Sequence, residues 1–268
     1  MTAMGSRYGG SILVINPNTT KAMTEALQPL IKSLKYARTH FEFFTAPSGV
    51  PSINNEDDAA TSAEHCLPAV KARLADHDAF LVCCYSQHPL VPQLRSELAR
   101  LGSHKPVAGI FEASISTCLQ SINTYDAFGI VSTGSQWEEI LGEAVGNMFG
   151  VEKPERYAGT ETTGLNADEL HSTPKDEVDR RMKAATKKLL ENGAKAICLG
   201  CAGMAGLDGT VREACVEALG EDLGRRVKIV DGVVSGAIFL EGALRAGWCD
   251  PPRKNDDDAM WDPEVEMM

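Results

Sequence analysis

The sequence lacks any stretch of about 18 uninterrupted apolar residues, which is the length that a membrane-spanning helix needs. Its first ten residues, Met1 to Gly10, contain one arginine and no long apolar core, so they do not resemble a secretory signal. These absences argue against an integral membrane protein and against a secreted one. We therefore expect a cytoplasmic protein with no membrane partner.

The sequence also lacks clustered basic residues. Its formal net charge is −11, and its 26 Lys and Arg residues are scattered along helical stretches, so no patch offers a track for phosphates. We therefore expect no nucleic-acid partner. The eight cysteines are too dilute in 268 residues for a disulfide scaffold, and several lie in apolar runs. Most of them are expected to be small buried hydrophobic residues.

Short runs rich in Val and Ile alternate with amphipathic stretches along the chain. The expected strands are Ser11–Asn16, Phe41–Thr45, Ala79–Cys84, Val107–Phe111, Phe128–Ser132, Ala158–Glu161, Ala196–Cys201 and Val227–Asp231. Helices are expected between them, among them one over Glu56–His77. This alternation predicts the α/β class, with mostly parallel sheets flanked by helices.

The alternation begins again half-way along the chain. A shift of 117 positions, with two residues of drift near the end, superposes polar residues that follow the strands: Asn16 on Thr133, Cys84 on Cys201 and Glu112 on Asp231. This predicts two similar lobes, each an open, mostly parallel sheet, related by a pseudo-twofold axis with the active site between them. The expected lobes are residues 1–110 with 230–268, and residues 111–229. The acidic tail 250–268 is expected to be disordered.

Two cysteines are the candidate acid–base residues. In open parallel sheets, ligands bind beyond the carboxyl ends of the strands, and Cys84 and Cys201 both come at such ends. Facing lobes would point the two thiols into one cleft from opposite sides. Inverting a carbon stereocentre without a cofactor needs one group to remove a proton and another to deliver a proton to the opposite face. Cysteine suits both roles, because its ordinary pKa of about 8.5 lets thiol and thiolate coexist.

The turns after both cysteines are expected to open helices. Exposed backbone N–H groups at those helix starts would lower the pKa of each thiol. Together with Asn16, Asn18, Thr133 and Ser135, the same N–H groups are expected to hold a carboxylate or an imide and to stabilise a developing enolate.

Neighbouring residues allow other interpretations. Cys83 alternates with Cys84 on the strand, so it is expected to face the core. The spacing Cys198-x-x-Cys201 also fits a redox or metal pair, but no second Cys or His cluster completes a tetrahedral site, so no metal is expected. His88 fits either a nucleophilic pair with Cys84 or a structural role. Glu112 fits either a third acid–base group or a carboxylate near a helix N-terminus.

Five short segments carry a resemblance to a known family. They are INPNTT (Ile15–Thr20), CYSQHPL (Cys84–Leu90), GIFEAS (Gly109–Ser114), IVSTG (Ile130–Gly134) and LGCAGM (Leu199–Met204). In this order they resemble the motifs of hydantoin racemases, within the aspartate/glutamate racemase superfamily, over about residues 11–247. One segment departs from the pattern. Bacterial members commonly carry a Gly-Asp-Pro-like run where this chain has Ser86-Gln87-His88-Pro89, which is closer to the fungal branch.

The resemblance implies a two-lobed α/β racemase with catalytic Cys84 and Cys201 and with no metal or cofactor. Family substrates include 5-substituted hydantoins and allantoin, which links the fungal branch to nitrogen metabolism. The resemblance and the strand ends together place substrate contacts at Asn16, Asn18, Ser86, Glu112, Thr133, Ala202 and Gly203. The expected partners are a small-molecule substrate and further copies of the chain, in a homo-oligomer.

Two other functions stay open. Amino-acid (aspartate or glutamate) racemases, maleate isomerases and arylmalonate decarboxylases share the scaffold and reuse one or both cysteines. The absence of an obvious arginine clamp at the strand ends argues against a dicarboxylate substrate. A non-catalytic binder of small molecules would keep the cleft, although binding alone does not require two thiols.

Overall fold

The computed structural model describes residues 10–250 of the chain. None of the helices in this stretch is both long enough and apolar enough to cross a membrane. The prediction of a disordered tail falls outside the described residues, apart from Asp250. The carboxylate of Asp250 accepts hydrogen bonds from the Ser103 hydroxyl and the His104 N–H, each at 2.6 Å.

The described residues form two four-stranded parallel sheets. The first contains β1 (Ser11–Asn16), β2 (His40–Thr45), β3 (Ala79–Val82) and β4 (Val107–Gly109). The second contains β5 (Ala127–Ser132), β6 (Tyr157–Thr162), β7 (Ala194–Leu199) and β8 (Lys228–Asp231). Their strand orders are β2-β1-β3-β4 and β6-β5-β7-β8. The matching orders confirm the predicted α/β class with two similar lobes.

Helices follow the strands and cover both sheets. They are α1 (Lys21–Ser33), α2 (Glu56–Lys71), α3 (Leu90–Arg100), α4 (Ile110–Ser121), α5 (Trp137–Phe149), α6 (Glu169–Ser172), α7 (Lys175–Glu191), α8 (Asp208–Leu219), α9 (Glu221–Arg226) and α10 (Gly232–Arg245). A single 3₁₀ turn spans Ala202–Met204. The start of α2 shows why a helix begins there: the Asn55 side chain accepts the Asp58 N–H at 2.8 Å, and acidic residues fill the first turn.

The strands are buried on both faces, as expected for parallel sheets between helices. Alternate residues of β1 point to opposite sides. Ile12 and Val14 join a core that is shared by both lobes and also contains Phe128 and Ile130 of β5. Leu13 and Ile15 pack in a separate core with residues of α2 and α3. The shared core joins the two lobes into one body and fixes how the strand ends face each other.

Two helices cross from one lobe to the other. Helix α4 follows the first sheet but packs against β7 and β8, whereas α10 follows the second sheet but packs against β3 and β4. The two helices also pack against each other. This exchange accords with the lobes 1–110 with 230–268 and 111–229, and those boundaries stay a prediction.

Some predicted bounds are wrong. The strand expected over Val107–Phe111 ends at Gly109, because α4 begins at the next residue. The buried side chains of α4 recur at helical spacing: Ile110, Phe111, Ser114, Ile115 and Cys118. The strands expected to end at Cys84 and Cys201 each stop two residues earlier, and the helix expected over Glu56–His77 ends at Lys71.

The pairing of Glu112 with Asp231 is also wrong. Glu112 lies in the first turn of α4, three residues after the strand end. Asp231 is the last residue of β8 and caps α10 by accepting the Val234 N–H at 2.9 Å. Within the repeat, Asp231 therefore corresponds to Gly109, the residue that precedes α4.

Candidate active site

A cleft of about 540 Å³ lies between the carboxyl ends of the two sheets. Cys84 borders it from the first lobe and Cys201 from the second. Both residues are partly exposed, and both follow the third strand of their sheet by two residues. The two thiols are near enough that a charge on Cys201 raises the pKa of Cys84. The structure thus places both cysteines at one cleft, and their catalytic role stays a prediction.

The loop after β1 is held by the side chain of Asn16. Its amide donates to Asn18 Oδ1 at 2.9 Å, to the Thr20 carbonyl at 3.1 Å and to Thr24 Oγ1 at 3.0 Å. Its Oδ1 accepts the Asn18 N–H at 3.2 Å. Among the described residues, the Asn18 amide nitrogen donates only to the sulfur of Met23, at 3.2 Å, and sulfur is a weak acceptor. Both asparagines border the cleft, but Asn18 has the donor that a ligand can take over.

The segment after β3 presents Cys84 to the cleft. The Cys83 N–H donates to the Ile15 carbonyl at 2.8 Å, which continues the sheet by one residue before the chain turns away. Cys84 Sγ then lies 3.6 Å from Ser86 Oγ. Burial raises the pKa of the Cys84 thiol to about 12, against a lowering by the Ser86 hydroxyl, while Cys201 and Glu112 raise it further. Cys83 packs in the shared core, as expected.

The segment after β7 holds Cys201 at the start of the 3₁₀ turn. Its Sγ accepts the Gly203 N–H at 3.3 Å. Burial raises the pKa of the Cys201 thiol to about 11, and the N–H groups of Gly203 and Met204 oppose that rise. Gly200, the residue before Cys201, packs directly on β5, because a Cβ at that position would lie 2.7 Å from the Val131 carbonyl oxygen.

The expectation that helix starts lower both pKa values is wrong. No helix opens at Cys84, since α3 begins six residues later at Leu90. At Cys201 the N–H groups of the short turn act in the expected direction, but burial outweighs them. Both thiols are therefore mostly protonated at pH 7.

The other residues predicted to contact the substrate do not all border the cleft. Thr133, Ala202 and Gly203 border the cleft as expected. The Thr133 hydroxyl makes no hydrogen bond to any described residue, so it is available to a ligand. Ser86 borders a neighbouring cavity rather than the cleft, although it touches the Cys84 thiol. Ser135 is exposed and lines neither space, so its expected role is not supported by its position.

Glu112 lies behind the cleft and does not border it. Its Oε2 is buried and has no hydrogen-bond partner among the described residues. That oxygen packs so closely on Gly109 that a Cβ there would collide with it. Burial raises the pKa of the Glu112 carboxyl, opposed by its own backbone N–H and by Arg95. It acts on Cys84 through charge, since a charged Glu112 would raise the pKa of that thiol.

His88 is built into the wall rather than into the cleft. The Ser62 hydroxyl donates to the Pro17 carbonyl at 2.9 Å. Because its proton is used there, His88 Nε2 carries a proton and donates it to Ser62 Oγ at 3.2 Å. His88 Nδ1 accepts the Leu90 N–H at 3.3 Å. Burial lowers the pKa of His88 to about 4. This geometry fits the structural role and offers no contact with Cys84.

Cys198 does not pair with Cys201. Its Sγ lies 3.3 Å from Cys118 Sγ on α4, in the buried shared core. In the part of the chain that the structure describes, no group of three or more His, Cys, Asp or Glu side chains is placed to hold a metal ion.

Sequence reasoning missed several residues of the cleft wall. Most are apolar side chains from elements that dock on the strand ends: Met23, Leu27, Ile53, Tyr85, Trp137 and Ala167. Trp137 is nearly buried and is the first residue of α5, directly after the turn that follows β5. A tryptophan at the start of the helix that follows a strand end could have been identified from the sequence as a residue of the cleft wall. The others follow from tertiary packing.

Comparisons with known proteins agree with this geometry. The family model described as Asp/Glu/Hydantoin racemase matches residues 12–238. An uncharacterised protein of Schizosaccharomyces pombe is 34% identical over 236 residues, covering 87% of this chain and 92% of the relative. A hydantoin racemase of Pseudomonas sp. (strain NS671) is 30% identical over 237 residues, covering 88% of this chain and 86% of the relative.

A solved structure supports the same assignment. The allantoin racemase from Klebsiella pneumoniae superposes with a TM-score of 0.73 at 26% identity, covering 91% of each chain. The family model and the two sequence relatives each span most of the folded chain, and the structural neighbour has the same two-lobed architecture. The chain belongs to the Asp/Glu/hydantoin racemase family and is an isomerase.

Proposed function

We propose that this protein racemises a 5-substituted hydantoin or an allantoin-like ureide by two-base proton transfer between Cys84 and Cys201. The observation that carries the proposal is the placement of the two thiols at matching strand ends, on the two sides of one cleft. A thiolate on one side removes the proton from C5 of the ring. The thiol on the other side delivers a proton to the opposite face, which inverts the stereocentre.

The neutral cleft wall favours a neutral cyclic substrate. None of the residues that border the cleft in the described structure is a Lys, Arg, His, Asp or Glu. A free dicarboxylate would meet no positive charge there, which disfavours aspartate, glutamate or maleate as substrate. A hydantoin or allantoin ring instead offers carbonyl oxygens and N–H groups to neutral hydrogen-bonding partners.

Several groups are placed to bind that ring. The Asn18 amide, the Thr133 hydroxyl and the backbone at Ala202 and Gly203 supply hydrogen bonds for the ring carbonyls and for the enolate that forms beside C5. Asn16 is a positioning residue, because its amide is fully engaged in the loop that holds Asn18.

Ser86 and Glu112 act on Cys84 rather than on the substrate. The Ser86 hydroxyl stabilises the Cys84 thiolate, since it lowers the pKa of that thiol. Glu112 is assigned the role of tuning the Cys84 thiol: burial raises the pKa of the Glu112 carboxyl, and a charge on that carboxyl raises the pKa of Cys84. This assignment replaces the expected direct contact between Glu112 and the substrate.

The substrate class comes from relatives of known activity. The Pseudomonas relative is a hydantoin racemase, and the Klebsiella structure is an allantoin racemase. As the family resemblance implies, we propose that the enzyme works without metal or cofactor, as a homo-oligomer, in the cytoplasm. Size-exclusion chromatography with light scattering would measure the oligomeric state.

Proton exchange in D₂O tests the mechanism. Enantiopure hydantoins and allantoin are incubated with the protein, and optical rotation and C5 deuteration are followed together. The wild-type protein should lose rotation while deuterium enters C5. Cys84→Ser and Cys201→Ser should each abolish racemisation, and each should retain exchange only with the enantiomer whose proton faces the remaining thiol. Cys249→Ser removes a partly exposed thiol outside the cleft and is the matched control.

The outcomes separate the alternatives. Racemisation that survives either cysteine variant would remove the two-thiol mechanism. Turnover of aspartate, glutamate or maleate, with none on hydantoins, would favour the amino-acid racemase or isomerase alternative. Thermal stabilisation by hydantoin with no exchange at all would favour a non-catalytic binder.

A further inference from the structure

A second cavity of about 470 Å³ adjoins the cleft. Trp137 borders both spaces, and Ser86, whose hydroxyl lies 3.6 Å from Cys84 Sγ, borders the second one. The second cavity therefore begins one side chain away from the reacting thiol.

The walls of this cavity differ in polarity. One side of it is formed by Trp137, Ile140 and Ala144, which lie along α5. The rim carries the exposed carboxylates Glu56 and Glu143 from the two lobes. Neither carboxylate has a hydrogen bond or an ion pair with another described residue, and no Lys, Arg or His of the described chain borders the cavity. The space thus combines an apolar floor, formed by these α5 side chains, with neutral polar side chains and a rim of two carboxylates that no described cation neutralises.

We propose that this second cavity is the subsite for the substituent at the stereocentre, and that it selects an unbranched chain ending in an amino or guanidino group. The inference rests on the proposed racemase function. An apolar stem covers Trp137 and Ile140, as lysine and arginine stems cover apolar surfaces in proteins. The cationic end reaches Glu56 and Glu143. A short substituent leaves the apolar floor uncovered, and an anionic one meets two like charges.

Matched substrates test the subsite. Initial rates of racemisation are measured for hydantoins with a 4-aminobutyl and an n-pentyl group at C5, which have the same number of heavy atoms. The wild-type protein should prefer the 4-aminobutyl compound in kcat/KM by roughly two- to fivefold, as expected for an exposed ion pair. That preference should fall as salt is added, because ions screen the rim charges.

Two variants assign the preference to the rim. Glu143→Gln should reduce the ratio of the two kcat/KM values to about one half or less. Glu139→Gln removes an exposed carboxylate from the same helix that does not border the cavity, and it should leave the ratio unchanged. Equal rates for the two substrates, a preference for the n-pentyl compound, or equal losses in both variants would overturn the subsite.

Unsubstituted hydantoin keeps the two proposals apart. It has no side chain, so deuterium exchange at its C5 reports the thiol chemistry alone. Exchange without any preference for the 4-aminobutyl group contradicts the subsite and leaves the proposed function standing. No exchange with unsubstituted hydantoin or any substituted compound contradicts the proposed function, and the subsite falls with it.

Discussion

The ionisation of the two thiols sets a steep pH dependence for catalysis. A two-base racemisation needs one thiolate and one thiol in the free enzyme, so its kcat/KM follows the singly ionised form. Burial raises the pKa of Cys201 to about 11 and that of Cys84 to about 12, so the first proton leaves near the lower value. At pH 8 only about one molecule in a thousand carries a thiolate in the cleft. The kcat/KM should therefore rise about tenfold per pH unit between pH 7 and 10.

Two assays measure this rise. Racemisation of one hydantoin enantiomer is followed by polarimetry across that range, with the spontaneous rate subtracted at each pH. Alkylation by iodoacetamide is followed in parallel by mass spectrometry of the Cys84 and Cys201 peptides. Both thiols should react slowly at pH 8 and faster as pH rises, because only the thiolate is nucleophilic. Bound hydantoin should protect both peptides but not the Cys249 peptide, which lies outside the cleft.

One result would refute the reasoning. A plateau in kcat/KM or in alkylation below about pH 8.5 would mean that the N–H groups at Gly203 and Met204 outweigh burial. The pKa of the Cys201 thiol would then be lowered below its ordinary value, as the sequence alone predicted. The pH profile therefore measures whether burial or the backbone N–H groups have the larger effect on the pKa of Cys201.

Two further predictions concern the scaffold. Burial lowers the pKa of His88 to about 4 from its ordinary 6.5, so below pH 6.5 the unfolded chain binds a proton that the folded protein does not. The free energy of unfolding is therefore unaffected by His88 above about pH 6.5 and decreases as the pH falls towards 4. Between pH 7.5 and 4.5 the wild-type protein should lose roughly 2 to 3 kcal/mol more unfolding free energy than His88→Asn in urea titrations. Gly200→Ala should cost about 1–3 kcal/mol and most of the activity, because its Cβ meets the Val131 carbonyl. Gly142→Ala, with open space around the new Cβ, is the control, and a matching loss there would contradict the argument.

The fold could be predicted because its determinants are local and repeated. Buried strands such as Ser11–Asn16 are recognisable as apolar runs, and parallel strands bring their carboxyl ends to one edge. The spacing of 117 residues between Cys84 and Cys201 placed both at the same strand of each half. The two residues reach one cleft for that reason.

The chemistry of the site could not be predicted in the same way. The pKa of each thiol depends on burial in a cleft whose wall includes residues distant in sequence, such as Ile53 and Trp137, and on where the next helix begins. Glu112 looked like a strand-end carboxylate, because an apolar run followed by a polar residue fits the end of a strand and the first turn of a buried helix equally well. Only the packing of α4 on the second sheet distinguishes the two.

The two thiols face their substrate from unequal surroundings, and thermodynamics restricts how that inequality can appear. Cys84 is next to Ser86 and Glu112, whereas Cys201 accepts the N–H of Gly203. Enantiomers have equal free energies in water, so kcat/KM must be the same in both directions. The unequal surroundings can therefore change kcat and KM only by a common factor. Initial rates from each pure enantiomer should show different KM values with equal ratios of kcat to KM. Equal KM values for the two enantiomers would contradict an effect of the unequal surroundings on the two directions.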